Sequence, residues 1–311
     1  MANPGRLHSF CEKDFSNTLT ASLNKMSDQK STSGYSALIA DQLAQTRDFL
    51  SNQIQCSDAK LCEFMDYIRN RQGKMLRSSV LLLSGKIFCQ INPLHITVAA
   101  VVEMIHAATL LHDDVIDNSL FRRHQPTANS LWGQNLAVLL GDFLLSRAFS
   151  ITTSLERNDI NKILAETAEI VCLGEMLESA CRGDFKISVD DYLNIIEKKT
   201  AVFFANSALL GGIISNADEK SCKALYDFGL NLGMAFQIAD DLSDVFGAEV
   251  NTGKTAGRDF ENKIPTLPIL KSIDFTKSKI AEYREKALSS LNIFAAEPAA
   301  NALKDLTISI V

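Results

Sequence analysis

Asn-Gly and Asp-Gly pairs are missing from this sequence, and with them the strongest short-range signal for a β-hairpin. Alternating apolar and polar runs are missing as well. Proline (6) and glycine (15) are few and mark joints between long segments, at Pro93, Pro126, Gly183, Gly247, Gly253, Pro265 and Pro268. There is no basic excess: the net charge is −6, which argues against a nucleic-acid partner. No Cys-x-x-Cys pair occurs. The cysteines, Cys11, Cys56, Cys62, Cys89, Cys172, Cys181 and Cys222, are odd in number and unpatterned, as free thiols in a reducing compartment are. The opening MANPGRLHSFCEKDF carries no apolar h-region, and residues 1–34 hold several acids; neither a secretory signal nor a transit peptide is expected. No uninterrupted apolar run reaches the ~18 residues of a spanning helix. A cytoplasmic protein without a membrane span is the expectation.

What is present is helical periodicity. In ITVAAVVEMIHAATLLHDDVID apolar residues recur every three to four positions over a run too long for a strand. AVLLGDFLLSRAFSITTSL, KILAETAEIVCLGEMLESACRG, DDYLNIIEKKTAVFFANSALLGGII and CKALYDFGLNLGMAFQIADDLSDVFG read the same way. Several are apolar on more than one face and so belong inside a large bundle. With 46% hydrophobic residues the chain can bury a large core. No linker divides it. The expected organisation is a loosely ordered arm over residues 1–34 and one all-α bundle around a central cavity over residues 35–311.

One pattern repeats. LLHDDVIDNSLFRR contains Asp113, Asp114 and Asp117; QIADDLSDVFG contains Asp240, Asp241 and Asp244 at the same spacing. Residues i and i+4 share a helix face, so Asp113 pairs with Asp117 and Asp240 with Asp244. Close carboxylates on an apolar helix repel one another and lose hydration. A hard cation offsets both costs, and Mg2+ in particular takes one or two protein carboxylates and fills its shell with water and phosphate oxygens. A single such cluster is equally an ordinary solvated acidic face. Two copies, each ending a long apolar helix and one followed by Arg122-Arg123, point to metal and phosphate, because arginine offers a fork of donors matched to phosphate.

On these motifs the chain resembles the trans-isoprenyl (polyprenyl) diphosphate synthase family over roughly residues 40–270. GKMLR (Gly73–Arg77) resembles the family's GGKRxRP segment. IHAATLLHDDVID with its two arginines, and FQIADDLSD, resemble the two aspartate-rich motifs. EKKTA resembles the Lys-Thr segment, and GKTAGRDFENK the lysine-bearing loop that follows. The resemblance implies an all-α bundle, usually a homodimer, that joins isopentenyl diphosphate to an allylic diphosphate such as farnesyl or geranyl diphosphate. It implies three Mg2+ ions per site, with Asp113, Asp117 and Asp240 as direct ligands and Asp114, Asp241 and Asp244 completing the shell. It assigns Arg122, Lys199 and Lys254 to the allylic diphosphate, with Lys263 nearby. Lys74, Arg77, His106 and Arg123 fall to isopentenyl diphosphate, and Thr200 and Gln237 to the reacting carbons. Apart from the motif, His106 and His112 read as core histidines, Lys199 as a snorkelling lysine, and Gln237 as a bridge between two helices.

Product length follows from the residues one turn before Asp113. Ala108 and Thr109 are small, whereas short-chain members of the family tend to carry a bulky aromatic there. A medium- or long-chain product, hexaprenyl to decaprenyl, is therefore expected, of the kind that becomes a quinone side chain. The floor would lie deeper, at Val101, Met104 or Ile105, or near Phe143 and Phe149. The sequence also departs from the pattern. GKMLRSS lacks the proline and has Gln72 in place of the first glycine, and after Pro268 the chain is shorter than in the family, without a basic ending. The competing readings are a short-chain farnesyl or geranylgeranyl diphosphate synthase, a non-catalytic subunit of a heteromeric synthase, and a terpene cyclase. Both aspartate motifs are intact, against the subunit; Lys74 and Arg77 are present, against the cyclase.

Overall fold

A computed structural model describes residues 34–71, 73–246 and 262–311, without the side chain of Phe246. The segment expected to be a loose arm lies outside these residues except for Gly34, which opens α1 (Gly34–Ala37). The described elements are otherwise helices: α2 (Ala40–Gln53), α3 (Cys62–Arg69), α4 (Leu76–Lys86), α5 (Pro93–Ile116), α6 (Ala128–Trp132), α7 (Gln134–Thr153), α8 (Asn158–Cys181), α9 (Val189–Ile196), α10 (Val202–Ile214), α11 (Glu219–Phe246), α12 (Leu267–Leu270), α13 (Ile273–Ser290) and α14 (Pro298–Ile310). The all-α expectation holds. The departure is a hairpin of two residues a side, β1 (Phe121–Arg122) paired antiparallel with β2 (Gln125–Pro126). Its turn residues, Arg123 and His124, both take positive φ (51° and 59°). Such turns are usually marked by Asn-Gly, so nothing in Arg-His announces this one.

The central layer is α5, whose Val98, Ala99, Val101, Val102, Met104 and Ile105 are fully buried. It packs against α2, α4 and α7, while α10 packs against α4 and α11. Small residues permit that closeness. A Cβ on Gly211 of α10 would lie 2.3 Å from the Leu81 carbonyl oxygen of α4, so only hydrogen fits at this crossing. The last helix, α14, leans on α4 and thereby supports the helix that carries Arg77. Of the candidate spans, α5 and α7 are long and apolar enough to cross a membrane, but α5 is mostly inside the bundle.

The start of α5 is built by Asn92, Pro93 and His95. The Asn92 side chain accepts from the Leu94 and His95 backbone N–H groups, and Pro93 occupies a helix position that needs no donor. The Asn92 backbone N–H donates to Nδ1 of His95 at 3.3 Å, which leaves Nε2 as the donor to Ser215 Oγ at 2.9 Å. Ser215 passes the chain on to the Gly85 carbonyl at 3.1 Å. His95 thus ties α4, α5 and the end of α10 together with a neutral imidazole, and its burial pushes its pKa down to about 4. The unfolded chain takes up this proton near the ordinary histidine value of ~6.5. The folding stability supplied here is therefore lost as pH falls from about 6.5 towards 4. We expect the urea midpoint to drop across that window in the wild type and to drop less in His95→Gln; equal slopes would refute the assignment.

Candidate active site

The two aspartate clusters sit where two apolar helices run out. Asp113 and Asp114 occupy the last turn of α5, and Asp117 is its C-cap. Asp240, Asp241 and Asp244 lie in the last turns of α11. Within each cluster the middle acid is the buried one: Asp114 and Asp241 are each 5% exposed. Asp114 accepts from Arg122 Nε at 2.9 Å. Asp241 accepts from the Tyr192 hydroxyl at 2.6 Å and from Gln237 Nε2 at 2.7 Å. Those two carboxylates are held by protein donors. Arg182 Nη2 reaches Asp117 at 2.7 Å and steadies the exit of α5.

The helix expected over DDYLNIIEKKTAVFFANSALLGGII is interrupted. Residues Glu197–Ala201 form one π turn between α9 and α10, an irregularity frequent at functional sites. Lys199 and Thr200 within it meet two different helices. Lys199 Nζ pairs with Glu178 at 2.7 Å and Glu175 at 3.0 Å, both from α8. Thr200 Oγ1 donates to Gln237 Oε1 at 2.7 Å, so Gln237 does bridge two elements, and its other end holds Asp241. The π turn seats against α8 because position 174 is glycine; a Cβ there would stand 2.4 Å from the Lys199 nitrogen.

Glu178 joins the clusters electrostatically. Burial raises the pKa of Asp113, and the charges of Asp117 and Glu178 add to the rise against the pull of Lys199 and Arg122. Burial likewise raises Asp241, with Asp240 and Glu178 adding to it while the Tyr192 and Gln237 hydrogen bonds oppose. Glu175 is raised by burial and then by Asp113. Desolvation alone would lower Lys199, but Glu178, Glu175 and Asp113 outweigh it and keep the ammonium charged. One cation thus faces more acids than it can neutralise. Among the described residues no three His, Cys, Asp or Glu side chains already form a closed metal cage. Paired carboxylates are the ligand type that Mg2+ takes one or two of, beside water and phosphate oxygens.

The second group lies about two turns earlier along α5, around His106. Arg77 of α4 is 9% exposed; its Nη1 is 3.1 Å from His106 Nε2, and its guanidinium lies over the Phe203 and Phe204 rings at 5.0 and 4.6 Å. Burial holds the His106 pKa well below the usual range, and Arg77, Arg122 and Arg123 push it the same way, so the ring is neutral. Glu103 accepts from the backbone N–H and the hydroxyl of Ser78 at 3.0 and 2.9 Å. Gly73 lies against Arg123; a Cβ there would be 3.1 Å from the guanidinium nitrogens. Lys74 is exposed on the loop before α4. His112 is no ligand: its Nε2 meets the Val138 carbonyl at 3.2 Å, and its ring fills the space over Gly141.

Lys254 lies outside the described residues. Lys263 is exposed and contributes its carbonyl, which accepts from Gly183 N–H next to Arg182 at 2.8 Å. Ala108 is fully buried, and Thr109 Oγ1 donates to the His106 carbonyl at 2.8 Å. Val101, Met104 and Ile105 are buried as a cavity floor requires, but Phe143 is not: it is 36% exposed on the outer face of α7 and so does not line the interior of this chain. The residues that sequence reading missed are Glu175, Glu178, Arg182, Tyr192 and Glu103. Glu175 and Glu178 carried a signal, two acids three apart on an apolar helix.

The residues from 58 to 297 match the family model for polyprenyl synthetase. The chain is 34% identical over 256 residues to the octaprenyl diphosphate synthase of Escherichia coli K12, covering 82% of this chain and 79% of that one. Among solved structures it is similar to a decaprenyl diphosphate synthase from Rhodobacter capsulatus (TM-score 0.80, 30% identity, 89% of this chain and 97% of that one). It is equally similar to a polyprenyl synthase from Caulobacter crescentus, solved with calcium and isoprenyl diphosphate (TM-score 0.80, 31% identity, 88% and 95%).

The close seat of the π turn makes Gly174 a test of this geometry. Gly174→Ala should destabilise the protein by about 1–3 kcal/mol through overpacking, read by urea unfolding; an unchanged midpoint would show that α8 and the π turn do not need their contact.

Proposed function

The chain belongs to the polyprenyl synthetase family, and from that premise we propose that it is a prenyltransferase that condenses isopentenyl diphosphate with an allylic diphosphate, head to tail and in trans. The product is a medium- or long-chain polyprenyl diphosphate, of the kind used for quinone side chains. The observation that carries this reading is the joining of the two aspartate clusters through Glu178 around Lys199 and the π turn.

In this reading Asp113, Asp117 and Asp240 hold Mg2+, with Asp114, Asp241 and Asp244 supporting them. Bound Mg2+ supplies Lewis-acid stabilisation of the departing diphosphate. Lys199 and Arg122 take the allylic diphosphate, exchanging carboxylate partners for phosphate oxygens. Lys254 and Lys263 belong to the same end of the site. Arg77, His106, Arg123 and Lys74 hold isopentenyl diphosphate with its double bond towards the allylic carbon. Loss of diphosphate leaves an allylic cation; the double bond attacks it, and the released diphosphate takes the proton. No side-chain nucleophile is needed. Thr200 and Gln237 present oxygen dipoles to the cation, and the apolar helices keep out the water that would quench it. The small Ala108 and Thr109 leave the way along α5 open for the growing tail.

We propose in addition that the protein is a cytoplasmic homodimer. Val138, Leu139 and Phe143 of α7 and Leu173, Met176 and Leu177 of α8 are all exposed. A second copy of the chain would cover such exposed apolar residues.

Purified protein given farnesyl diphosphate, labelled isopentenyl diphosphate and Mg2+ should make a hexaprenyl or longer product, and none in EDTA. Ala108→Phe should shorten that product. A wild-type product ending at farnesyl or geranylgeranyl diphosphate would keep the chemistry and overturn the length assignment.

A further inference from the structure

The cavity beside His106 holds one cation that the motif comparison does not assign. Arg71 lines it together with Gly73, Glu103, His106 and Arg123 at the polar end, and Met75, Met104, Leu110 and Leu144 form the apolar wall. Arg71 has no carboxylate within ion-pair distance among the described residues. Its guanidinium instead lies over the Tyr67 ring, 3.9 Å from the centroid. Tyr67 packs edge-on against Trp132, with ring centroids 5.0 Å apart, and its hydroxyl points at the Pro126 carbonyl at 3.5 Å. The ring that carries Arg71 therefore leans on the same hairpin that carries Arg122 and Arg123. The donors converging here also outnumber the acceptors. Arg77 Nε, buried nearby, has no hydrogen-bond partner among the described residues, and Oε1 of the one acid, Glu103, is engaged by Ser78.

A cavity whose lining combines Arg71 and Arg123 with methionine and leucine side chains suits an anion with a short apolar tail. We infer that Arg71 binds the diphosphate of isopentenyl diphosphate directly, as an added arginine fork held in place by the Tyr67 ring. The inference rests on the reading of this chain as a prenyltransferase. The stack on Tyr67 restricts the guanidinium before substrate arrives, so little rotamer entropy is left to lose on binding. The position is also selective. Arg71 shares its cavity with His106 and Arg123, and Lys199 does not line it, so it acts on isopentenyl diphosphate and not on the allylic partner.

The test is steady-state kinetics of the wild type, Arg71→Gln and Arg71→Lys, varying each substrate with the other saturating, alongside calorimetric titration with isopentenyl diphosphate. Losing one charge-assisted contact should raise KM for isopentenyl diphosphate about tenfold in Arg71→Gln. Arg71→Lys should recover part of the loss, since it restores charge without the fork. KM for farnesyl diphosphate should stay within about twofold, and the thermal midpoint of each variant controls for folding. A folded Arg71→Gln protein with an unchanged KM for isopentenyl diphosphate, or with both KM values raised alike, overturns the inference and leaves the prenyltransferase reading standing. If the wild type turns over nothing, the titration decides. Weaker binding by Arg71→Gln keeps the site and removes the reaction; equal binding, or none, removes both.

Discussion

Carboxylates taken out of water cost several kcal/mol each unless a cation or a set of donors stands beside them. This bundle places Asp113, Asp114, Asp117, Glu175, Glu178 and Asp241 in and around one gap between apolar helices. The surrounding architecture answers that cost in two ways. Asp114, Asp117 and Asp241 are given protein donors: Arg122, Arg182, Tyr192 and Gln237. Asp113, Glu175 and Glu178 are left to share Lys199, and burial together with their mutual repulsion raises the pKa of Asp113 and Glu175.

That division explains several local irregularities. The π turn at Glu197–Ala201 carries Lys199 to the acids of α8 and Thr200 to Gln237 of α11. Gly174 is small so that this turn can come close. The Arg123–His124 turn accepts two positive φ angles, a strained conformation for residues with a Cβ. In return Arg122 and Arg123, adjacent in sequence, serve two groups: one is bonded to Asp114, and the other lies in the cavity with His106. The hairpin thus joins the acid-lined gap to the arginine-lined cavity.

Much of the site was legible in the sequence because its parts are local. The DDxxD spacing and the apolar run before it sit within two turns of one helix, so periodicity alone places Asp113 with Asp117. Gln237 read correctly as a bridge. Phe143 was misplaced because an apolar residue at helical spacing looks the same whether its face meets the core or the outside. Glu175 and Glu178 were passed over because α8 lies far from both motifs in the chain; their importance comes only from facing Lys199. Arg71 gave no sequence signal beyond being another arginine near a basic motif.

The sequence by itself determined the helices, the two aspartate clusters and the family. Each of these follows from spacing along one segment, where the 3.6-residue period of the helix relates residue number directly to direction in space. Tertiary structure alone decided which acids have protein donors and which share Lys199, where the helix breaks into a π turn, and which group each basic residue serves. Those properties depend on groups brought together from distant segments. Burial and the field of neighbouring charges act through space, and no periodicity along the chain encodes the distance between Glu178 and Lys199.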